Sequence, residues 1–550
     1  MDLLLAFVIA MIVTVALIPL LVRGARWLHV LDEPAGRKVH AQPMPRIGGI
    51  AMVAGALLPL YLWLPMDSTL AAYLLAVIVL LAFGVWDDRV TLSARTKLAG
   101  QLCAVLIVMI AGHVSIDTVV LGERVALPGW LSSTLTLLFL LGITNAINLA
   151  DGLDGLAGGT TLLCCAALAL LAHNWELRFV ETVSVVLMGA IAGFLRFNSY
   201  PARIFMGDAG SQFLGFSIGV LSILLTRQGA TPISTAVPLL LIGLPVVDTL
   251  TVIVQRLLSG RSPFAADRRH FHHRLLALGL DHHEAVVVIY AVQCLLLLLA
   301  WQLRFESDLL IVVVFLTFAF LFTGTLVLLE RSGWRWRAPT ARTQPSVLAR
   351  MRLWLATRRR LPRWSLRVAW LCAAVYLLGV ALYANPVPVD IGTLAALCLL
   401  TLALGIAWHK RAVGETWLVR GLLYIAVIVA VYLDHLMVIH APWLQAAKWA
   451  FLPLLAVAVI IAVHYWGQRR FEATPFDLLL IFAALVLPNL PGIENAPSNL
   501  GISVAKLVVL LYAVEMISAV DSRLRTALIG AGAVFFAVIA VRAITYTIWS

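Results

Sequence analysis

Long apolar runs dominate the chain, and they constrain its fold more than any other feature. Many of them approach or exceed about 20 residues, the length that an α-helix needs to cross the hydrocarbon core of a bilayer. Hydrophobic residues make up 62% of the sequence and charged residues 12%. The mean hydropathy of +0.98 is far above that of a soluble domain. The sequence therefore predicts an all-α polytopic membrane protein.

Hydropathy predicts about eleven transmembrane helices in the first three-fifths of the chain. They lie near residues 1–22, 47–65, 70–86, 96–112, 130–147, 158–173, 176–197, 213–226, 233–256, 284–302 and 308–329. The first run is followed, not preceded, by the basic residues Arg23 and Arg26, which is the reverse of a secretory signal peptide. We therefore expect this run to remain as a membrane helix with its N-terminus outside.

A change of composition after residue 330 predicts a domain boundary. Residues 331–367 contain eleven arginines and three prolines, as expected of a cytoplasmic linker against anionic lipid. About seven more helices follow, near residues 366–384, 391–408, 417–438, 444–466, 476–488, 501–519 and 527–546. We predict a first domain at 1–330, a basic linker at 331–365 and a C-terminal transmembrane domain at 366–550, in which we identify no motif.

Basic residues are concentrated in alternate loops, which predicts the orientation of the protein. Arginine and lysine are frequent near residues 23–46, 89–97, 203 and 256–274 and sparse in the intervening loops. By the positive-inside rule the basic loops are cytoplasmic, and both termini of the chain are then outside. This topology accounts for the net charge of +12, and we predict no nucleic-acid partner. The outside segment 113–129 has short alternating runs that indicate a small β-hairpin.

Acidic motifs lie at the cytoplasmic ends of the apolar runs. Their polar residues are Asp87 and Asp88 in VWDDR, Asn148, Asp151 and Asp154 in NLADGLDG, and Asp208 in FMGDAGS. Carboxylates at a membrane edge are costly unless they bind something. Mg²⁺ prefers one or two carboxylates together with water and substrate phosphates. The pattern indicates a divalent-metal and phosphate-handling site. For each motif alone, a helix cap or a polar turn is the simpler alternative.

The segment DRRHFHHRL contains three histidines within four residues. They are His270, His272 and His273, and they follow Arg268 and Arg269. Zinc binding is one interpretation, but no thiolate or carboxylate has ligand spacing here. Histidine with arginine more naturally binds a diphosphate, because arginine contacts phosphate oxygens bidentately. A solvated charge run in a loop is the plainer alternative.

Taken in order, these motifs resemble those of the polyprenyl-phosphate N-acetylhexosamine-1-phosphate transferases, the WecA/MraY-type superfamily of glycosyltransferase family 4. The resemblance runs from DEPAGRKVHAQPMPRIGG (32–49) through VWDDR, SARTKLAGQ, NLADGLDGLAGG and FNSYPARIFMGDAGS to HFHH (270–273), about three-fifths of the chain. It implies transfer of a sugar 1-phosphate from a UDP-N-acetylhexosamine to undecaprenyl phosphate with release of UMP. It also implies a requirement for Mg²⁺ or Mn²⁺, and a homodimer among the lipids of the bacterial inner membrane with its active site facing the cytoplasm.

The resemblance further implies a role for each motif residue. Asp208 holds the metal with Asp88 close to it, and Asp87 is a base or orients the lipid phosphate. The histidines and the two arginines bind the diphosphate of the sugar nucleotide, and Lys97 neutralises phosphate. The expected catalytic residues are Asp87, Asp88, Asp208, His270, His272 and His273. The expected substrate-binding residues are Lys97, Asn148, Asp151, Asp154, Asn198, Arg268 and Arg269.

The form of the histidine motif resembles one branch of the superfamily. HFHH followed by Arg-Leu is similar to the WecA-like branch, whereas the peptidoglycan-precursor translocases have a histidine run followed by Phe-Glu. This implies UDP-GlcNAc as the donor and initiation of a cell-surface glycan such as the O-antigen of lipopolysaccharide or an exopolysaccharide. Phe271 departs from the smaller aliphatic residue that relatives often have.

A membrane transporter or channel with a cytoplasmic-face metal site is the competing hypothesis. Acids near glycine-broken membrane helices also mark ion and substrate pathways. Such a protein is expected to carry acids on both sides of the membrane. Here the acidic and histidine motifs are all predicted on one side, which favours the transferase.

Overall fold

The computed structural model describes residues 2–25, 30–32, 43–227, 229, 231–260, 270–336, 360–384, 387–408, 417–436, 451–459, 461–462 and 500–549. The chain forms two compact units, Met1–Pro339 and Thr340–Ser550. Across the described residues, ten helices are long and apolar enough to cross a membrane. These helices confirm the prediction of an all-α polytopic membrane protein.

The helices of the first unit agree closely with those predicted from hydropathy. They are α1 (Asp2–Ala25), α2 (Gly48–Trp63), α3 (Ser68–Val90), α4 (Ala94–Ile110), α5 (Gly129–Ala150), α6 (Leu156–His173), α7 (Arg178–Asn198), α8 (Gly207–Thr226), α9 (Val237–Leu241), α10 (Gly243–Leu258), α11 (Phe271–Ala277), α12 (His282–Gln302) and α13 (Asp308–Arg331). The prediction of a single helix at 233–256 was wrong, because the chain forms two helices there, α9 and α10. The short helix α11 was not predicted.

Pro245 explains the break between α9 and α10. Proline has no N–H, so the carbonyl of Leu241, four residues earlier, lacks its helical donor. Gln293 of α12 supplies a replacement through its side-chain amide at 2.7 Å, and the Cys164 thiol of α6 donates to the same carbonyl at 3.0 Å. The broken helix is thus tolerated inside the bundle because side chains of neighbouring helices satisfy the freed backbone group.

α8 is the central helix of the first unit. In its most apolar 18-residue window 94% of the residues are buried, and it packs against α2, α3, α5 and α6. Tyr73 of α3 stacks on Phe216 of α8 and shares a hydrogen bond of 2.7 Å with the Ser217 hydroxyl. This buried helix begins at Gly207, so its first turn continues into a segment that is packed on several sides.

The described residues of the first unit also include two small antiparallel strand pairs. The strands β1 (Leu31–Asp32) and β2 (Met44–Pro45) pair antiparallel before α2, and β3 (Thr118–Val120) pairs with β4 (Arg124–Ala126) between α4 and α5. The second hairpin confirms the one predicted within 113–129. Asp308 anchors it by accepting the Val120 N–H at 2.6 Å and the Ala236 N–H at 2.9 Å.

The second unit is also helical where it is described. Its helices are α14 (Arg360–Tyr383), α15 (Val389–Trp408), α16 (Trp417–Leu436), α17 (Leu500–Val520) and α18 (Ser522–Trp549), and residues 451–459 are helical as well. The helix predicted at 476–488 lies outside the described residues. Two ion pairs join α16 to α17: Lys506 with Asp434 at 2.5 Å, and Arg420 with Glu515 at 3.1 Å.

Candidate active site

The acidic motifs lie at helix ends that meet at one end of the first unit. α3 continues through Asp88 to Val90, and α8 begins at Gly207. Lys97 lies in the first turn of α4, and Asn148 lies in the last turn of α5. Since successive helices run in opposite directions, these ends face one another. The structure therefore brings together motifs that are far apart in the sequence.

Asp88 binds the start of α8. Its two carboxylate oxygens accept the backbone N–H groups of Asp208 at 3.0 Å and Ala209 at 3.4 Å. The unpaired N–H groups and the dipole at a helix N-terminus favour a carboxylate there. Gly207 permits the approach, since its φ is +71° and a Cβ at this position would lie 2.4 Å from Asp88 Oδ2. Asp88 thus positions Asp208.

Lys97 connects Asp87 with Asp208. Its Nζ lies 2.5 Å from Asp87 Oδ2 and 2.8 Å from Asp208 Oδ2. The other oxygen of Asp87 accepts the Leu92 N–H at 2.6 Å, so this carboxylate is held from two sides. The Asp208 side chain is 22% exposed and that of Asp87 only 6%. Of these two acids, Asp208 is the one that a ligand can reach.

Asp151 brings a fourth carboxyl group to the same place. Among the described residues, none donates a hydrogen bond to its carboxyl group. Burial, followed by the charges of Asp208 and Asp154, raises the pKa of Asp151 to about 7. Burial and the neighbouring acids therefore outweigh the charge of Arg46, which acts in the opposite direction. Asn148, three residues earlier, accepts the Ser211 hydroxyl at 2.7 Å and ties α5 to the first turn of α8.

Asp154 and Asn198 hold the loops around the site. Asp154 accepts the Ala202 N–H at 2.9 Å. Asn198 accepts the Gly155 N–H at 2.9 Å and donates to the Ile204 carbonyl at 3.0 Å. Both side chains are buried. These two residues, which were predicted to bind substrate, therefore connect the segment after α5 with the segment before α8.

The histidine motif reaches the segment that contains Asp151. His272 lies against Gly152, where a Cβ would be 2.3 Å from its Nε2. The ring centroid of His272 is 4.2 Å from that of His273 and 5.8 Å from that of His270. Burial, followed by the neighbouring histidines, lowers the pKa of His272 to about 3. Its ring is therefore neutral near pH 7 and can bind phosphate only as a hydrogen-bond donor.

The structure places Arg46 beside the acids, whereas the predicted arginines Arg268 and Arg269 lie outside the described residues. Arg46 pairs with Asp32, and its guanidinium lies 3.8 Å from Asp88 Oδ1. The β1–β2 hairpin brings Asp32 and Arg46 together. The sequence analysis included Arg46 among the basic residues of a predicted cytoplasmic loop and within the segment 32–49, but it gave this residue no role in the site. Its position two residues before Gly48, the first residue of α2, was the available signal.

The sequence analysis also missed Asp248. This acid lies in α10, among apolar residues, and it is 6% exposed. It accepts a hydrogen bond from His270 Nδ1 at 3.0 Å and another from the Phe271 N–H at 2.8 Å. A single acid in an apolar helix was its only signal in the sequence, and that signal does not identify a partner.

The charges of the cluster fit a divalent cation. The cluster consists of the carboxyl groups of Asp87, Asp88, Asp151 and Asp208 and the cations of Arg46 and Lys97. Within the described parts of the chain, no three acidic, histidine or cysteine side chains converge as a complete metal site. Mg²⁺ does not need one, because it takes one or two carboxylates and completes its shell with water and substrate phosphates. Asp208 fits this requirement best.

Gly207→Ala is expected to destabilise the protein by about 1–3 kcal/mol, since a left-handed backbone and a contact with Asp88 both oppose a side chain here. Thermal unfolding of the purified protein in detergent measures the effect. Gly142→Ala in α5 is the matched control, because its Cβ meets no atom within 4 Å and alanine favours a helix. Equal melting temperatures for the two variants would contradict the proposed packing of Gly207 against Asp88.

Comparison with known proteins relates this arrangement to one family. Residues 70–226 match the model of glycosyl transferase family 4. The chain is 37% identical over 291 residues to the probable undecaprenyl-phosphate N-acetylglucosaminyl 1-phosphate transferase of Bacillus subtilis, covering 52% of this chain and 81% of that protein. It is 36% identical over 302 residues to the decaprenyl-phosphate N-acetylglucosaminephosphotransferase of Mycolicibacterium smegmatis, covering 48% and 74%. It is 30% identical over 311 residues to the undecaprenyl-phosphate alpha-N-acetylglucosaminyl 1-phosphate transferase of Escherichia coli K12, covering 54% and 84%.

Proposed function

This chain belongs to glycosyl transferase family 4, and on that premise we propose that it transfers N-acetylhexosamine 1-phosphate from a UDP-sugar to undecaprenyl phosphate. The products are UMP and an undecaprenyl-diphosphate sugar. GlcNAc 1-phosphate is the proposed group, because the relatives from Bacillus subtilis and Escherichia coli are named for N-acetylglucosaminyl 1-phosphate transfer to undecaprenyl phosphate.

The observation that carries the proposal is the bridge from Asp87 through Lys97 to Asp208. It places an accessible carboxylate and a lysine ammonium side by side at the end of a rigid central helix. Transfer between two phosphates needs this pair of charges, since it joins anionic reactants and depends mostly on positioning and charge neutralisation. The carboxylate can hold a divalent cation, and the ammonium can contact phosphate. Together they supply the positioning and the charge neutralisation.

The reaction proceeds by attack of a lipid phosphate oxygen on the β-phosphorus of the UDP-sugar. The lipid phosphate is already an anion at neutral pH, so no general base has to remove a proton first. The new P–O bond forms as the bond from the β-phosphorus to the bridging oxygen breaks, and UMP leaves with the bonding electrons. Asp87 acts mainly through Lys97 in this scheme, because its two oxygens already bind the ammonium and a backbone N–H.

Mg²⁺ or Mn²⁺ fits the site through Asp208, with Asp88 close to it. A bound divalent cation would supply Lewis-acid stabilisation of the phosphate oxygens. Asp88 contributes by fixing the turn that presents Asp208. Lys97 neutralises the charge that two phosphate groups bring together. The Asp151 carboxyl lies close enough to respond to the charge of Asp208, so it is a further oxygen ligand that the same cation could use.

The donor nucleotide is proposed to bind between the acidic segment and the histidine motif. Asn148, Asp151 and Asp154 belong to the segment on one side, and the rings of His270, His272 and His273 lie on the other. His272 lies against Gly152, so the two segments are adjacent. Phe271 packs against Phe322 of α13 with ring centroids 5.0 Å apart, so this contact fixes α11 against α13. Arg268 and Arg269 remain proposed contacts to the diphosphate.

We place the site at the cytoplasmic face of the bacterial inner membrane, with both termini of the chain outside. The basic loops of the sequence support this orientation through the positive-inside rule. The product would start a surface glycan such as O-antigen or exopolysaccharide, and a homodimer is the proposed assembly. The described helices end with the acidic motifs on one face of the unit, which is the arrangement that a cytoplasmic nucleotide-sugar requires.

The proposal is tested with purified full-length protein in detergent, undecaprenyl phosphate, Mg²⁺ and a panel of UDP-N-acetyl sugars. We expect UMP release that depends on the lipid, the metal and one donor, with UDP-GlcNAc giving the highest rate. Recovery of a radiolabelled lipid-diphosphate sugar identifies the second product. Donor consumption without the lipid would indicate hydrolysis and contradict the proposed transfer. No UMP release from folded protein with any donor would also contradict it.

A further inference from the structure

Asp248 and His270 form a buried pair outside the acidic motifs. The side chains of both residues are 8% exposed, and His270 Nδ1 lies 3.0 Å from Asp248 Oδ2. The other oxygen, Oδ1, accepts the N–H of Phe271 at 2.8 Å, and Phe271 is the first residue of α11. A single carboxylate of α10 therefore binds both the histidine ring and the helix that carries the rest of the histidine motif.

The chemistry of the pair defines which ring nitrogen serves the site. A carboxylate only accepts hydrogen bonds, and here Oδ1 accepts the Phe271 N–H while Oδ2 faces the ring. His270 must then carry its proton on Nδ1, which leaves Nε2 as the nitrogen that can contact another group. A hydrogen bond to one ring nitrogen in this way determines the tautomer and the rotation of the ring.

We propose that Asp248 is a positioning residue for His270. It holds Nδ1 and the start of α11 so that Nε2 of His270 is presented to the diphosphate of the sugar nucleotide. This inference rests on the proposed function, in which the histidine motif contacts that diphosphate. It assigns Asp248 no contact with substrate of its own.

The surroundings of Asp248 distinguish a positioning role from space filling. A cavity of about 20 Å³ lies beside it, lined by Leu156, Leu244, Ile289 and His272 among others. The cavity offers room for the additional methylene group of a glutamate at position 248. Asparagine matches the size of aspartate but presents an amide N–H₂ group to Nδ1, which then accepts, so the ring proton moves to Nε2. Size and proton position can therefore be varied separately.

The kinetic test compares Asp248→Asn with Asp248→Glu in the UMP-release assay with radiolabelled donor. We expect Asp248→Asn to lower kcat/KM roughly ten- to a hundred-fold, as loss of an orienting partner commonly does, and Asp248→Glu to recover most of that loss. A space-filling role predicts the reverse order, with asparagine the milder change. In a His270→Gln background, Asp248→Asn should cause no further loss, because the two residues act through one contact. The same fold loss in both backgrounds would overturn the proposal.

A spectroscopic test works without turnover. The ¹⁵N NMR spectrum of histidine-labelled protein in lipid reports whether Nδ1 or Nε2 carries the proton, and His270→Gln identifies the His270 signals. We expect a protonated Nδ1 in the unmodified protein and in Asp248→Glu, and loss of that proton in Asp248→Asn. An unchanged His270 signal in Asp248→Asn overturns the inference. If the unmodified protein released no UMP, the proposed function would fail while this measurement still decided whether Asp248 sets the His270 tautomer.

Discussion

Asp208→Asn is expected to abolish metal-dependent UMP release, with a loss of at least about a thousand-fold. Asparagine keeps the size of the side chain and the backbone N–H that Asp88 accepts at 3.0 Å. It removes the charge that holds Lys97 at 2.8 Å and that a divalent cation requires. Removal of one preorganised electrostatic contact commonly costs about 10²–10³ in kcat, and here the same carboxylate serves two cations. Initial rates at a series of Mg²⁺ concentrations measure the effect.

Asp67→Asn is the matched control for this substitution. Asp67 caps α3 by accepting the Leu70 N–H at 2.7 Å at the end of that helix opposite to Asp88. Asparagine is an equally good cap, so rates should equal those of the unmodified protein. Full rescue of Asp208→Asn by high Mg²⁺ would contradict a direct role for the carboxylate. It would show that Asp208 only raises the local cation concentration.

Hydropathy could predict most helices of the first unit, because most of them present an apolar surface about as long as a bilayer is thick. It could not predict where the site helices end. Mean hydropathy falls at Asp87 and at Asp208, so the pattern predicts helices that end at residue 86 and begin at residue 213. In the structure α3 continues to Val90 and α8 already begins at Gly207. The acids stay within the helices because Lys97 and the N-terminal N–H groups of α8 satisfy them.

The motifs predicted which residues would gather, but not the contacts that each makes within the protein. Asn198 and Asp154 were expected to bind substrate, and they hold backbone N–H groups of neighbouring loops. Lys97 was expected to meet phosphate, and it lies between two carboxylates. Such contacts depend on distances between segments that are far apart in sequence, and residue type and local spacing do not contain those distances.

Isolated acids in apolar helices mark the limit of the sequence argument. Asp248 finds its partner His270 22 residues later, and Asp434 of the second unit finds Lys506 72 residues later. A buried charge needs a partner, so the sequence implies that one exists. It cannot say which, because partners across a helix bundle follow no fixed spacing. The break after Leu241 was not predicted either, because the groups that satisfy its freed carbonyl come from distant helices.

Lys97→Met is expected to have two opposite effects, which together identify the role of the lysine. Turnover should fall about a hundred- to a thousand-fold, because a cation that neutralises phosphate is lost from a preorganised site. Affinity for the divalent cation should rise, because the ammonium no longer occupies Asp87 Oδ2 at 2.5 Å and Asp208 Oδ2 at 2.8 Å. Binding of Mn²⁺ to the substrate-free protein, followed by electron paramagnetic resonance, measures the second effect independently of catalysis.

Two further variants separate charge from geometry at this position. Lys97→Arg keeps the charge in a different shape, so its Mn²⁺ affinity should stay near that of the unmodified protein while turnover falls by less. Arg95→Met removes an exposed cation from the same helix turn and should leave both properties unchanged. A loss of turnover in Lys97→Met with unaltered Mn²⁺ affinity would mean that the metal does not bind the carboxylates Lys97 holds. The cation would then have to be assigned to Asp151 and the substrate phosphates, with Asp208 serving only to orient the lysine.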